Sequence, residues 1–278
     1  MASGRGKYVA SMWQVMSSNG QGDPVETSVS DAPHPKGRVD VNLSVVDNRT
    51  RLAELALDPA VARIRQEMAD QSTAFETAPA GLVVAWAVER FGPKLALSCS
   101  FQEAVLIDIA VAVDPSIEVV FLDTGSHFDE TLEYVESIRA RYDLNLTVTS
   151  PVDGADGHPC GTSQCCEFRK VRPLRRALAG KDAWVTGLKR SDAATRRHAP
   201  IVSYDENWGM VKINPLATWN HQDLVGYAVD HGIPQHPLRS AGYHSIGCAP
   251  TTRPVGEGED LRAGRWADSD KVECGLHL

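Results

Sequence analysis

Three groups of residues in this 278-residue chain have types and spacings that could do chemistry. Cys274 sits in a short polar tail, residues 271–278, beside His277. A tail thiol can reach a substrate or a partner, although taken alone it is equally a free thiol near a frayed terminus. Cys165 and Cys166 are adjacent, and neighbouring thiols do not readily close a relaxed disulfide with each other. They read either as donors to a metal or cluster or as two buried small side chains. The third group is a cationic belt: from Arg169 to Arg197, ten Lys or Arg residues face two acids, Asp182 and Asp192. It is either a solvated basic helix or the wall of a cleft for a small polyanion.

Composition narrows the setting. With 42% hydrophobic and 23% charged residues, the chain can form one α/β domain with appendages. A formal charge of -8 argues against a general nucleic-acid binder. Six cysteines without regular spacing do not make a secreted disulfide framework, so a reducing compartment is expected. No run of eighteen apolar residues and no cleavable leader pattern is present, which predicts a cytoplasmic protein without a membrane segment.

The elements that must position these residues follow from periodicity. Residues 1–47 carry Ser, Gly, Asp and Pro clusters and read as a flexible leader. Residues 51–69 and 77–90 have helical spacing, the second stopped by Gly92 and Pro93. A short apolar run, 94–98, enters a turn at Cys99-Ser100-Phe101-Gln102 and then a helix, 103–113. That junction aims backbone N–H groups at any anion above the strand, while Cys99 reads as a small loop residue. Residues 117–122 and 130–141 repeat the strand–helix grammar around the loop 123–128, and 144–149 form a further strand. A helix opens at Cys165, a strand at 183–187 delivers the loop 188–196, residues 201–213 form a hairpin and 220–231 a helix. The pattern predicts a Rossmann-like α/β fold: a parallel sheet with helices on both faces, spanning 48–270, followed by a mobile tail at 271–278.

The tail run Glu273-Cys274-Gly275-Leu276-His277, the run from Cys165 to Lys170, and Ser245-Ile246-Gly247-Cys248-Ala249-Pro250 together resemble the assimilatory adenylylsulfate (APS) reductases, relatives of the PAPS reductases. The resemblance covers roughly residues 80–278 and leaves out the leader. It implies an adenine-nucleotide α-hydrolase-like fold with a modified phosphate loop at Ser98, Ser100 and Phe101. Thr124 lies in the matching loop, where Ser126 stands at a place often held by Tyr. Gly187 would offer backbone to the adenosine and Arg196 would contact the nucleotide. Lys170, Arg262, Arg265 and His277 would hold the phosphosulfate, and Cys274 would be the catalytic nucleophile.

The resemblance also implies a 4Fe-4S cluster, with Cys165, Cys166 and Cys248 as ligands. The fourth family position is occupied here by Thr251; Cys160 could in principle substitute, but its place five residues before the tandem pair matches no ligand position of the family. A hydroxyl is a poor iron ligand beside a thiolate, so a labile or incomplete cluster is expected. The implied activity is thioredoxin-dependent reduction of APS to sulfite and AMP through an S-sulfonate on Cys274. The second thiol comes from an external dithiol, because the tail holds no other cysteine. Alternatives are a PAPS reductase with a degenerate or absent cluster site, a nucleotidyl-transfer protein on the same fold, and a non-catalytic iron-sulfur protein. The sequence leaves the oligomeric state open, with a homo-oligomer compatible.

Overall fold

The computed structural model describes residues 58–267, 271 and 273–276. The leader and His277 therefore lie outside the described residues. Residues from Ile64 onward form one compact unit; of the other unit, Met1–Arg63, only 58–63 are described.

The element order is α1 (Pro59–Ala74), α2 (Ala80–Phe91), β1 (Leu95–Cys99), α3 (Val105–Val113), β2 (Glu118–Leu122), α4 (Asp129–Tyr142), β3 (Leu146–Thr149), α5 (Ser163–Cys166), a π-helical stretch (Glu167–Val171), α6 (Arg172–Ala177), β4 (Ala183–Thr186), β5 (Val202–Asp205), β6 (Met210–Ile213) and α7 (His221–Asp230). The six strands lie in the order β3-β2-β1-β4-β6-β5. All neighbours are parallel except β5 and β6, which form the expected antiparallel pair.

Strand parity explains why both faces are covered. Leu95, Leu97, Val119, Phe121, Ala183 and Val185 point into one core, with α2, α3 and α4. Ala96, Val120 and Trp184, the residues between them, point into a second core with Val171, Leu174, Leu178 and Trp208. Successive side chains of a strand face opposite ways, so near-continuous apolar strands need helices on both sides.

The chain order reverses at β1: the path runs outward through β2 and β3, then crosses to β4 on the other flank. Loops after β1 and β4 diverge there and leave a crevice at the carboxyl ends of the strands. The helix expected from Cys165 onward is continuous in direction but changes to π geometry over Glu167–Val171, just before Pro173 in α6. Such insertions mark functional positions more often than chance, and Lys170 lies within this one. Among the described residues, no helix is long and apolar enough to cross a membrane.

Candidate functional site

At the switch point lies an open cleft with about 1180 Å3 of empty space, its mouth included. Its floor is the loop after β1. Ser98 and Ser100 line it, whereas Phe101 turns its ring away: φ is +53, and the fully buried side chain packs edge-on against Phe121 at 5.3 Å. Phe101 can thus face a ligand through its backbone alone. The N-terminus of α3, expected to be open to an anion, already holds a carboxylate. Glu103 Oε2 accepts a hydrogen bond from the Val105 N–H at 2.6 Å, and burial raises the Glu103 carboxyl above its ordinary range. Cys99, expected in the loop, is instead the last residue of β1: its thiol is pushed up by burial and Sγ accepts from the Phe101 N–H at 3.2 Å.

Gly187 follows β4 in the opposite wall. An added Cβ there would meet Leu106 and Glu103 at 3.8 and 3.9 Å, ordinary contacts, so packing alone does not demand glycine. Its smallness instead keeps backbone within reach of the cleft.

The cationic belt is largely neutralised within the fold. Arg169 pairs with Asp156, Arg172 with Glu167, Lys181 with Glu118, Lys189 with Asp192, and Arg190 with Glu76. Arg196, expected to read the nucleotide, lines the cleft but commits its fork to Glu273. Nε and Nη2 donate to the two carboxylate oxygens, each at 2.6 Å, and Thr195 Oγ1 adds a bond of 3.0 Å. Burial opposes the Glu273 charge, yet Arg196 and Thr195 hold its carboxyl below the ordinary value. Among the described residues, no carboxylate pairs with Lys170 or Arg265.

Lys170 stands in the wall beside Cys274. Burial works against its ammonium, but Cys248, Cys274 and Cys166 together keep it above its ordinary value. Arg265 is lowered, first by burial and then by its neighbour Arg262. It is positioned by Nη1 donating to the Ile246 carbonyl at 3.1 Å and by stacking at 4.5 Å on Trp266. A Cβ on Gly247 would overlap its guanidinium, so glycine is required there for the arginine to lie flat. The Arg265 segment is stitched to the Cys248 loop: the Trp266 N–H donates to the Thr251 carbonyl at 2.9 Å.

The tail is docked over the cleft. Glu273 is buried on Arg196, Cys274 lines the cleft with Lys170, Arg262 and Arg265, and Leu276 packs against the second core. Gly275 leaves no slack, since a Cβ would lie 3.2 Å from Val171. The mobile tail expected from the sequence has, in residues 273–276, a seat of its own.

A second cluster of thiols lies beside the cleft. Cys165, Cys166 and Cys248 are all buried. Lys271 Nζ donates to Cys166 Sγ at 2.9 Å, and the Thr124 hydroxyl meets Cys248 Sγ at 3.6 Å. The Cys248 thiol is held below its ordinary value, chiefly by a hydrogen bond from Cys160 and then by Lys170. Among the described residues, no three His, Cys, Asp or Glu side chains converge tightly enough for a single metal ion. A four-iron cubane differs, because each thiolate binds a separate iron on its outside, so the ligands stand further apart. With its thiolates such a cluster is negatively charged, and Lys170 and Lys271 supply matching cations. The donor set suits a cluster in type, softness and charge.

Sequence reasoning gave no site role to Glu273, Asp192 or Lys271. Glu273 and Lys271 lie in the same short run as Cys274, and their charges were the available signal.

Comparisons with known proteins place the chain in context. A model of the phosphoadenosine phosphosulfate reductase domain matches residues 93–254. An adenosine 5'-phosphosulfate reductase of Streptomyces coelicolor is 43% identical over 211 residues, covering 73% of this chain and 89% of that protein. One from Geobacillus thermodenitrificans is 40% identical over 215 residues, covering 73% and 92%. In structure, the chain is similar to a phosphoadenylyl-sulfate reductase from Candida auris, with a TM-score of 0.56 at 24% identity over 77% of this chain and 100% of that one. An FMN adenylyltransferase of Candida glabrata shares the fold at TM-score 0.51 and 15% identity, covering 82% and 83%.

Proposed function

The chain belongs to the phosphoadenosine phosphosulfate reductase family, and from that premise we propose that it reduces adenosine 5'-phosphosulfate to sulfite and AMP through Cys274. The observation that carries this reading is the company Cys274 keeps: one cleft holds the thiol, the β1 loop, and the cations Lys170, Arg262 and Arg265.

The Cys274 thiolate attacks the sulfur of the phosphosulfate. A sulfur–sulfur bond forms, the bond from sulfur to the bridging oxygen breaks, and AMP leaves with that oxygen and its electron pair. Lys170 and Arg265 lie close enough to Cys274 for their charges to act on it. They meet the incoming anion and offset the charge that builds on the leaving phosphate. A thiolate of an external dithiol, thioredoxin or a similar donor, then attacks Cys274 Sγ. Sulfite departs with the electron pair of the broken S–S bond, leaving a mixed disulfide that the donor's second thiol resolves. The dithiol supplies both electrons that take sulfur from sulfate to sulfite level.

Ser98, Ser100 and the Phe101 backbone face the nucleotide from the floor, and Gly187 faces it from the β4 wall. Arg196 acts as a positioning residue through Glu273. His277 remains a candidate contact to the phosphosulfate outside the described residues. A 4Fe-4S cluster on Cys165, Cys166 and Cys248 would supply electrostatic organisation next to Lys170, since the dithiol accounts for all the electrons.

Arg262→Ala and Arg265→Ala should each weaken APS binding by roughly 1.5 to 3 kcal/mol, the range for hydrogen bonds to charged groups. Titration calorimetry with APS and with adenosine checks this. Adenosine affinity should barely change, and equal losses for the two ligands would mean that the arginines support the fold instead of reading the phosphosulfate.

A further inference from the structure

We infer that Cys160 is the fourth thiolate of the iron-sulfur site and takes the place that Thr251 leaves vacant. The inference rests on the cluster reading above and concerns which side chain completes the ligand set.

In sequence, Cys160 stands apart from the tandem pair. In space it does not. The residue that follows it, Gly161, lies against the Thr251 side chain, and Cys248 and Cys165 stand near enough to the Cys160 thiol for their charges to act on it. Two features of the local chain bring it there. Gly161 takes φ +96, a left-handed conformation that suits glycine, and folds the loop back over the start of α5. Thr162 then caps that helix, its Oγ1 accepting from the Cys165 N–H at 3.1 Å.

The loop is packed directly on residue 251: a Cβ on Gly161 would lie 3.2 Å from Thr251 Cγ2. Lys271 fastens the loop from the other side, its Nζ donating to the Gly161 and Thr162 carbonyls at 3.1 and 3.2 Å as well as to Cys166. A single ammonium thus ties the Cys160 loop to the tandem pair.

The chemistry favours the thiol over the hydroxyl. Iron in a cluster of this type takes thiolate sulfur, and a neutral alcohol is a weak substitute. Cys160 and Thr251 compete for one corner, and only the cysteine carries the soft donor. Each thiol that binds iron gives up its proton, so Cys160 and Cys248 would each exchange a proton for an iron–sulfur bond.

The test uses the full chain purified anaerobically, with iron and acid-labile sulfide assays and Mössbauer spectra, on wild type, Cys160→Ala, Thr251→Ala and the double variant Cys160→Ala with Thr251→Cys. The expected result is close to four irons per wild-type chain. Thr251→Ala should keep them. Cys160→Ala should lose at least a quarter of the iron, and the double variant should regain it, which separates ligand loss from misfolding. Full iron retention in Cys160→Ala overturns the inference, as does an equal loss in Thr251→Ala or a Cys160–Cys248 disulfide in the anaerobic wild type. Absence of iron and sulfide from the wild type overturns the cluster reading itself, a failure distinct from that of the variants.

Discussion

Cys274→Ser is expected to abolish sulfite formation while AMP binding survives. The change removes one soft nucleophile and leaves the cleft intact. Serine at neutral pH is a far weaker nucleophile without a base beside it, and it cannot form the sulfur–sulfur bond on which the reduction depends. Turnover should therefore fall by several orders of magnitude, as loss of a covalent nucleophile does elsewhere. The nucleotide contacts assigned to Ser98, Ser100 and Gly187 lie on other elements, so AMP affinity should remain within about twofold, a fraction of RT in free energy. Sulfite assay with a dithiol donor, paired with AMP titration, checks both halves. Residual turnover near the wild-type level would remove Cys274 from the mechanism.

The second large effect concerns the residue before it. Glu273→Ala leaves Arg196 buried without its bidentate partner, and the side chains of both are at most 10% exposed. Breaking such a pair from one side costs about 3 to 5 kcal/mol, because a charge stays behind in a poorly solvated place. Asp192 at 3.4 Å from Arg196 offsets part of the cost, so a value near the lower end is expected. Two measurements separate the consequences. Chemical denaturation should register the lost stability, and mass spectrometry after brief alkylation should find Cys274 modified faster than in wild type, because the tail loses its seat. An unchanged alkylation rate would mean that the ion pair does not hold the tail.

The same pair predicts a pH dependence. The Glu273 carboxyl is held below its ordinary value of 4.5, so its contribution is present above that pH and is lost as pH falls through the lower folded value. Tail docking should accordingly be insensitive to pH near neutrality and should weaken in acid.

Much of the fold was legible before the structure. The apolar runs read at 94–98, 117–122 and 183–187 specify parallel strands buried on both faces, and the strands at 95–99, 118–122 and 183–186 pair as such. The hairpin at 201–213 and the helix at 220–231 were also local signals; the structure starts that helix at His221, with Asn220 as its cap in a capping box. What local pattern cannot carry is long-range pairing. Arg196 and Glu273 are 77 residues apart, and nothing in either neighbourhood says that the arginine serves the tail. The cationic belt looked open because its acidic partners, Glu76, Glu118 and Glu273, lie in other segments. Cys160 was weighed as a substitute ligand but ranked low on spacing, since a five-residue offset says nothing of the left-handed turn at Gly161. The positive φ of Phe101, which buries a ring expected at the cleft, likewise leaves no mark in a periodicity.

The most direct measurement is intact-protein and peptide mass spectrometry of reduced wild-type protein incubated with APS and no dithiol. The account predicts one added sulfonate per chain, located on Cys274 and released as sulfite when thioredoxin or another dithiol is added. Sulfite production on addition of the dithiol, without any prior adduct on Cys274, would contradict it.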